Sequence, residues 1–176
     1  EEEIRLMAEK GVSVSHCATS NMKLCVGSAL NYSAMKKHGL NVTLGTDSAA
    51  SNNNLDMFEE MKFAALLQKY HYNVPTLLNA KEVFEAATLN GAKALGIKAG
   101  LVEQNYLADL VLIDLKKAYL TPGHNLVGDL VYAAKGDCVE TVIIDGNIVM
   151  ENGRVEGEEE IMEEARKIAF DLIGRE

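Results

Sequence analysis

An α/β fold is what this 176-residue sequence predicts, and three observations predict it. Short strand-like runs near residues 12–16 and 42–44 are each followed by segments with helical apolar spacing, the β–α order of a layered parallel sheet. Beyond residue 100 the pattern changes to compact β-branched runs separated by Asp-Gly and Asn-Gly pairs, which mark hairpins. The chain then closes with one amphipathic helix. Residues 1–100 therefore read as strand–helix units, 101–156 as a small strand-rich unit with an intervening helix, and 157–176 as a C-terminal helix.

Residues 1–10 carry Ile4, Leu6, Met7 and Ala8 among charges, and Gly11 ends them as a helix-terminating glycine does. Val12-Ser13-Val14-Ser15-His16 alternates at period two and predicts a strand. A polar loop is expected next, then a helix capped by Ser28 and running to His38, with Gly39 just past its end. Val42-Thr43-Leu44 predicts the second strand, leading into Gly45-Thr46-Asp47. After a Ser/Asn-rich loop at 48–54, residues 55–70 read as an amphipathic helix on Phe58, Met61, Ala65 and either Leu66 or Gln68. Asn79 with Glu82 has capping-box spacing and starts a helix to about Leu89; Gly91 is expected to separate it from a turn at 92–95. Leu110–Ile113, Val142–Ile144 and Ile148–Met150 are strand runs, with turns at Asp145-Gly146 and Asn152-Gly153. Ile161, Ala165, Ile168 and Leu172 define the last helix, over 161–173.

Composition narrows the function. Seventeen basic against 26 acidic residues give a net charge of −9, the wrong sign for a nucleic-acid or anionic-membrane binder. Residues 151–176 carry nine acidic and four basic side chains, a solvated helix face. Cys17, Cys25 and Cys138 are an odd count without zinc-knuckle spacing, which fits a reducing compartment and so the cytoplasm. No apolar run approaches the ~18 residues of a membrane span. Neither GxGxxG nor GxxxxGK[ST] occurs, and the six tyrosines do not cluster into a stacking platform. The opening Glu1-Glu2-Glu3 looks like the middle of a helix, and a fragment of a longer chain is expected.

Chemistry gathers at two strand ends. His16 and Asp47 each end a strand and lie 31 residues apart, about one β–loop–α repeat. Parallel strands of a barrel or of a doubly wound sheet bring such ends to one face. On spacing alone, a capping aspartate and a structural histidine account for the pair better than a site does. Cys17 beside His16 points to the opposite face of the strand, so it makes a poor nucleophilic pair and reads as loop packing. His38, His71 and His124 read as structural or surface groups. Asn52-Asn53-Asn54 could bind substrate, but capping of the following helix accounts for at least one of them.

Longer stretches change that balance. HCATSNMKL (16–24), TLGTDSAASNN (43–53), ATLNGAKALG (87–96), LADLVLID (107–114) and VIIDGNIVMENGRV (142–155) stand in an order that resembles one family. It is the C-terminal part of metal-dependent amidohydrolases of the methylthioadenosine/S-adenosylhomocysteine deaminase type. This group includes the 5'-deoxyadenosine deaminases and is related to chlorohydrolases and guanine deaminases. The resemblance covers nearly the whole chain; LGTDSAASNN is its most specific piece and LADLVLID marks only the wider superfamily.

The resemblance implies the C-terminal portion of a TIM-like (β/α) barrel, followed by part of a small β-sandwich and a terminal helix. It implies one divalent metal, zinc with iron or manganese as alternatives, at the barrel's C-terminal face. Asp47 matches the last metal-binding carboxylate, His16 the non-ligand histidine near the attacking hydroxide, and Ser51 a serine lining the base pocket. Asn21, Lys23 and Gly27 match a structured loop. The remaining ligands, a His-x-His pair and a third histidine, and a proton-shuttling glutamate are expected before residue 1. Cys17-Ala18 replace the family's usual Asn-Pro, which frees a fixed φ and alters the loop that places His16.

These residue types suit hydrolytic deamination. A metal-bound water of pKa ~7 attacks the carbon bearing an exocyclic amine, a carboxylate takes its proton, and an imidazole stabilises the developing oxyanion. The expected substrates are small adenosine-type nucleosides: S-adenosylhomocysteine, methylthioadenosine or 5'-deoxyadenosine. The expected assembly is a cytoplasmic homo-oligomer without nucleic-acid or membrane partners. The alternatives are a chlorohydrolase-like or guanine-deaminase-like enzyme, or a non-catalytic α/β binding module.

Overall fold

The computed structural model describes residues 1–174, and among these it has two small sheets, nine α-helices and two single-turn 3-10 helices. The order is α1 (Glu2–Glu9), β1 (Ser13–His16), α2 (Ala18–Leu24), α3 (Tyr32–Lys37), β2 (Asn41–Leu44), α4 (Ala49–Asn52), α5 (Met57–Tyr72), α6 (Ala80–Ala87) and α7 (Leu89–Leu95). Then come β3 (Leu110–Ile113), α8 (Leu126–Tyr132), β4 (Val139–Ile144), β5 (Asn147–Met150) and α9 (Glu158–Ile173). The mixed helix and strand content is that of an α/β protein.

β1 and β2 pair in parallel, with Val14 opposite Val42 and His16 opposite Leu44. Alternation then sorts the side chains into two faces. Val14, His16, Val42 and Leu44 share one face, and Val14, Val42 and Leu44 belong to the core that the helices cover. Ser15, Cys17 and Gly45 share the other. Gly45 is glycine for a steric reason, because a Cβ there would stand 2.9 Å from Ser15 Oγ and 3.5 Å from Cys17 Sγ.

Helix α5 organises the core. Asp56 starts it by accepting from the Phe58 and Glu59 amides at 2.8 and 3.3 Å. Met61, Ala64 and Ala65 are buried on its inner face against Leu78, Val83 and Val131. The other Asp56 oxygen accepts from the Gly136 amide at 3.0 Å, which ties the start of α5 to the strand-rich part. Asn79 and Glu82 form the expected reciprocal cap on α6, at 3.2 and 2.9 Å.

The C-terminal part is a three-stranded antiparallel sheet in the order β3-β4-β5. Asp145 and Gly146 both take positive φ, 49° and 77°, as a two-residue hairpin turn requires. Apolar Ile148 and Val149 of this sheet are exposed, and α9 buries none of its residues.

Several local expectations are corrected. The polar loop after His16 contains helix α2, which exists because Ala18 and Ser20 bury against α5, too short a segment to show a period. Asn31, not Ser28, caps α3, its side chain accepting from the Ala34 amide at 3.1 Å. Part of the Ser/Asn loop is the one-turn α4, and no asparagine caps α5. Gly91 lies inside α7, where neighbouring Asn90 donates to the Val42 carbonyl at 2.9 Å and so fastens that helix to β2.

Candidate active site

Asp47 stands three residues past the end of β2, with a left-handed φ of 61° that aspartate tolerates better than most residues. That turn aims its carboxylate across the end of the parallel pair toward α2. Ser20 Oγ donates to Asp47 Oδ2 at 2.7 Å, and the Ser48 amide donates to Oδ1 at 2.7 Å. The Ser20 hydroxyl, then the Ser51 hydroxyl and the Ser48 amide, hold the Asp47 carboxyl below the usual carboxylate range. Asp47 is therefore ionised at neutral pH. Ser51 also donates to the Ser48 carbonyl at 3.0 Å, so the Asp47–Ser51 turn is braced from within.

His16 sits at the end of the adjacent strand, and its carbonyl accepts from the Gly45 amide at 3.2 Å. The two strand ends meet as the spacing predicts. The side chains, which the same spacing predicts to approach each other, have different surroundings. The imidazole lies on the helix-facing side, is 3% exposed, and borders a cavity of about 240 Å³ with Asn21, Met22, Val26 and Leu67. No hydrogen bond links it to Asp47, and Nε2 is buried without a partner. Burial pushes its pKa below the usual histidine range, so the ring is neutral.

On the other face of β1, the Cys17 thiol hydrogen-bonds the Asp47 backbone. Burial raises its thiol pKa first, hydrogen bonding from Ser15 opposes that, and the charges of Glu60 and Asp47 raise it further. A thiol kept protonated is a packing group, as the sequence predicts. Asn52 donates to the Thr46 carbonyl at 2.8 Å, and Asn54 bonds Glu59 at 2.6 Å, so both brace the loop that carries Asp47. His38 caps α3 at 3.6 Å from Glu1, His71 packs edge-on to Tyr72 at 4.7 Å, and His124 is exposed.

Two residues passed unnoticed in the sequence: Ser20, which holds Asp47, and Glu60, buried at 1% exposure where α5 meets α2. A signal for Glu60 was available, since it lies on the α5 stripe of Met61, Ala64 and Ala65, where a charge is out of place. For Ser20 there was none.

The donor set fits one metal-ligand position. Asp47 is ionised, and Ser20, Ser48 and Ser51 together use three of the roughly four acceptor sites of its carboxylate, which leaves room for a cation. Among the described residues, no three His, Cys, Asp or Glu side chains converge as a metal cage. Nor is any described helix long and apolar enough to cross a membrane.

The Amidohydrolase family model matches residues 1–149, most of the chain. The chain belongs to the amidohydrolase family. It is 61% identical over 175 residues to 5-methylthioadenosine/S-adenosylhomocysteine deaminase 1 of Archaeoglobus fulgidus, covering 98% of this chain and 42% of that protein. It is 49% identical to the 5'-deoxyadenosine deaminase of Methanosarcina mazei, covering 98% of this chain and 40% of that one. Among solved amidohydrolase relatives, an adenosine deaminase from Xanthomonas campestris with bound zinc superposes with a TM-score of 0.92 at 38% identity, over 98% of this chain and 40% of that one. The zinc complex of atrazine chlorohydrolase from Arthrobacter aurescens follows at 0.78 and 26%, over 88% and 35%. The chain thus spans about two fifths of the curated relatives it matches.

Proposed function

We propose that this amidohydrolase chain is the C-terminal part of a metal-dependent deaminase of adenosine-type nucleosides. S-adenosylhomocysteine, methylthioadenosine and 5'-deoxyadenosine are the candidate substrates. The observation that carries the reading is Asp47, held ionised at a strand end by Ser20, Ser48 and Ser51. The 61% identity to a methylthioadenosine/S-adenosylhomocysteine deaminase supports this over the chlorohydrolase-like, guanine-deaminase-like and non-catalytic readings.

In this reading residues 1–100 contribute the last units of a (β/α) barrel, 101–156 part of a small β-sandwich, and α9 (Glu158–Ile173) the closing helix, the last two residues of the expected 157–176 lying outside the described residues. The whole works as a cytoplasmic homo-oligomer. Asp47 holds one ligand position of a divalent ion, with zinc favoured by the zinc-bound relatives. A bound divalent ion supplies Lewis acidity and brings the pKa of water toward ~7. Asp47 accepts the proton of the attacking water, which adds at the amine-bearing ring carbon. Ammonia leaves, and the base becomes the hypoxanthine form. Ser51, one helical turn beyond Asp47, lines the base pocket.

For His16 two roles compete. Hydrogen bonding to the developing oxyanion requires the ring to leave the helix-facing cavity. Its burial and its orphaned Nε2 favour a packing role beneath the site. His16→Ala separates them: a loss on the order of 10²-fold in kcat marks the first, and a loss confined to stability the second.

The test of the function is ammonia release from each candidate nucleoside, and from guanine and a triazine, by the protein expressed from its complete reading frame. Turnover of guanine or the triazine without turnover of any adenosine analogue would overturn the substrate class.

A further inference from the structure

Among the described residues Glu60 is the one carboxylate buried in the core beside the candidate site, and no step proposed above uses it. It stands on α5 at 1% exposure, and burial raises its pKa above the usual range. An apolar side chain at this position would avoid the desolvation penalty altogether. What the carboxylate gains is the start of α2. Glu60 Oε1 accepts from the Thr19 amide at 3.3 Å, and the neighbouring Ala18 amide also points to it. These are the first two amides of α2, which have no partner within the helix. The Cys17 side chain at the cap position makes no capping hydrogen bond, so Glu60 supplies from another helix what the local sequence lacks.

The next residue in that turn is Ser20. It is 2% exposed, and its hydroxyl donates to Asp47 Oδ2 at 2.7 Å. The Ser48 amide holds the other carboxylate oxygen, so the two bonds together fix the plane of the carboxylate. The Ser20 bond is the one that reaches across from α2, whereas the Ser48 amide and the Ser51 hydroxyl belong to the turn that follows Asp47. Ser20 is buried in the turn whose first amides Glu60 holds.

We propose that Ser20 is a positioning residue for the Asp47 carboxylate and that Glu60 acts through Ser20, by anchoring the first turn of α2. The inference rests on Asp47 being a metal ligand. Hydrogen-bond partners of metal ligands contribute 10–100-fold in metal affinity in proteins generally, by fixing ligand orientation.

The test uses zinc alone as the probe, on metal-stripped protein from the complete reading frame, with dissociation constants read by chelator competition. Ser20→Ala is expected to weaken zinc binding about 10-fold or more, while the melting temperature of the metal-free protein moves little. Glu60→Gln keeps shape and one acceptor but removes the charge, and should weaken zinc binding by about 3–10-fold. In the Ser20→Ala background the same Glu60→Gln change should add less than about twofold, because its route to Asp47 is already cut.

Unchanged zinc affinity in Ser20→Ala, with Asp47→Asn strongly weakened, overturns this inference and leaves the metal-ligand reading standing. Unchanged affinity in Asp47→Asn overturns the metal-ligand reading, and this inference with it. Additive losses in the double variant show that Glu60 acts on the site as a direct charge or as general scaffold, and overturn the relay. A readout of melting temperature alone would not move this way.

Discussion

Gly45→Ala tests how tightly the two strand ends are fitted below Asp47. The new Cβ would lie 2.9 Å from Ser15 Oγ and 3.5 Å from Cys17 Sγ. The second distance is ordinary contact, and the first is about half an ångström too short for carbon against oxygen. Gly45 has no positive φ, so the change brings no backbone strain and the effect is steric alone. Ser15 is exposed and can rotate, at a rotamer cost of about 0.5–1.5 kcal/mol. Rotation also removes its hydrogen bond to the Cys17 thiol. The expected destabilisation is therefore about 1 kcal/mol, at the low end for overpacking. Ser15→Ala combined with Gly45→Ala removes the offending oxygen and should restore stability to within about 0.5 kcal/mol of Ser15→Ala alone. Urea unfolding of the complete protein at constant m-value measures both. A loss above about 3 kcal/mol, or a double variant no better than Gly45→Ala, would show that the strands cannot adjust through Ser15 and that the contact geometry is misread.

Three further outcomes are expected. Asp47→Asn in the complete protein should nearly abolish deamination and lower metal content while the fold survives, since the side chain is exposed and keeps its shape; turnover within a few-fold of wild type with unchanged metal would refute its role. His16 has a lowered folded-state pKa, so the unfolded chain binds more protons as the pH falls below 6.5. Stability should be full above 6.5 and fall as the pH drops through that value toward the folded pKa, and His16→Asn should flatten this part of the urea midpoint against pH. The 176 residues alone should release no ammonia from adenosine analogues and bind zinc weakly, because a tight site needs three or four converging ligands and Asp47 is one; stoichiometric zinc on the purified chain would contradict this.

What the sequence determined by itself follows from periods and short-range chemistry. The strands around Val14 and Val42, the long helix on Met61 and Ala65, the Asn79–Glu82 cap and the Asp145-Gly146 hairpin depend on neighbours within a few residues, so they are legible without the fold. The spacing of His16 and Asp47 likewise placed both at ends of adjacent parallel strands. Helix α2 was not legible, because seven residues carry no readable period and its first amides are capped from α5, 41 residues away. Side-chain direction was decided only in three dimensions. One residue of strand parity turns His16 toward the helices and leaves Cys17 beside Asp47, and only the register of β1 against β2 reveals which face the core covers. Ser20 carries no mark in the sequence, because its significance is a 2.7 Å contact with a carboxylate 27 residues later, made by the packing of α2 on α5.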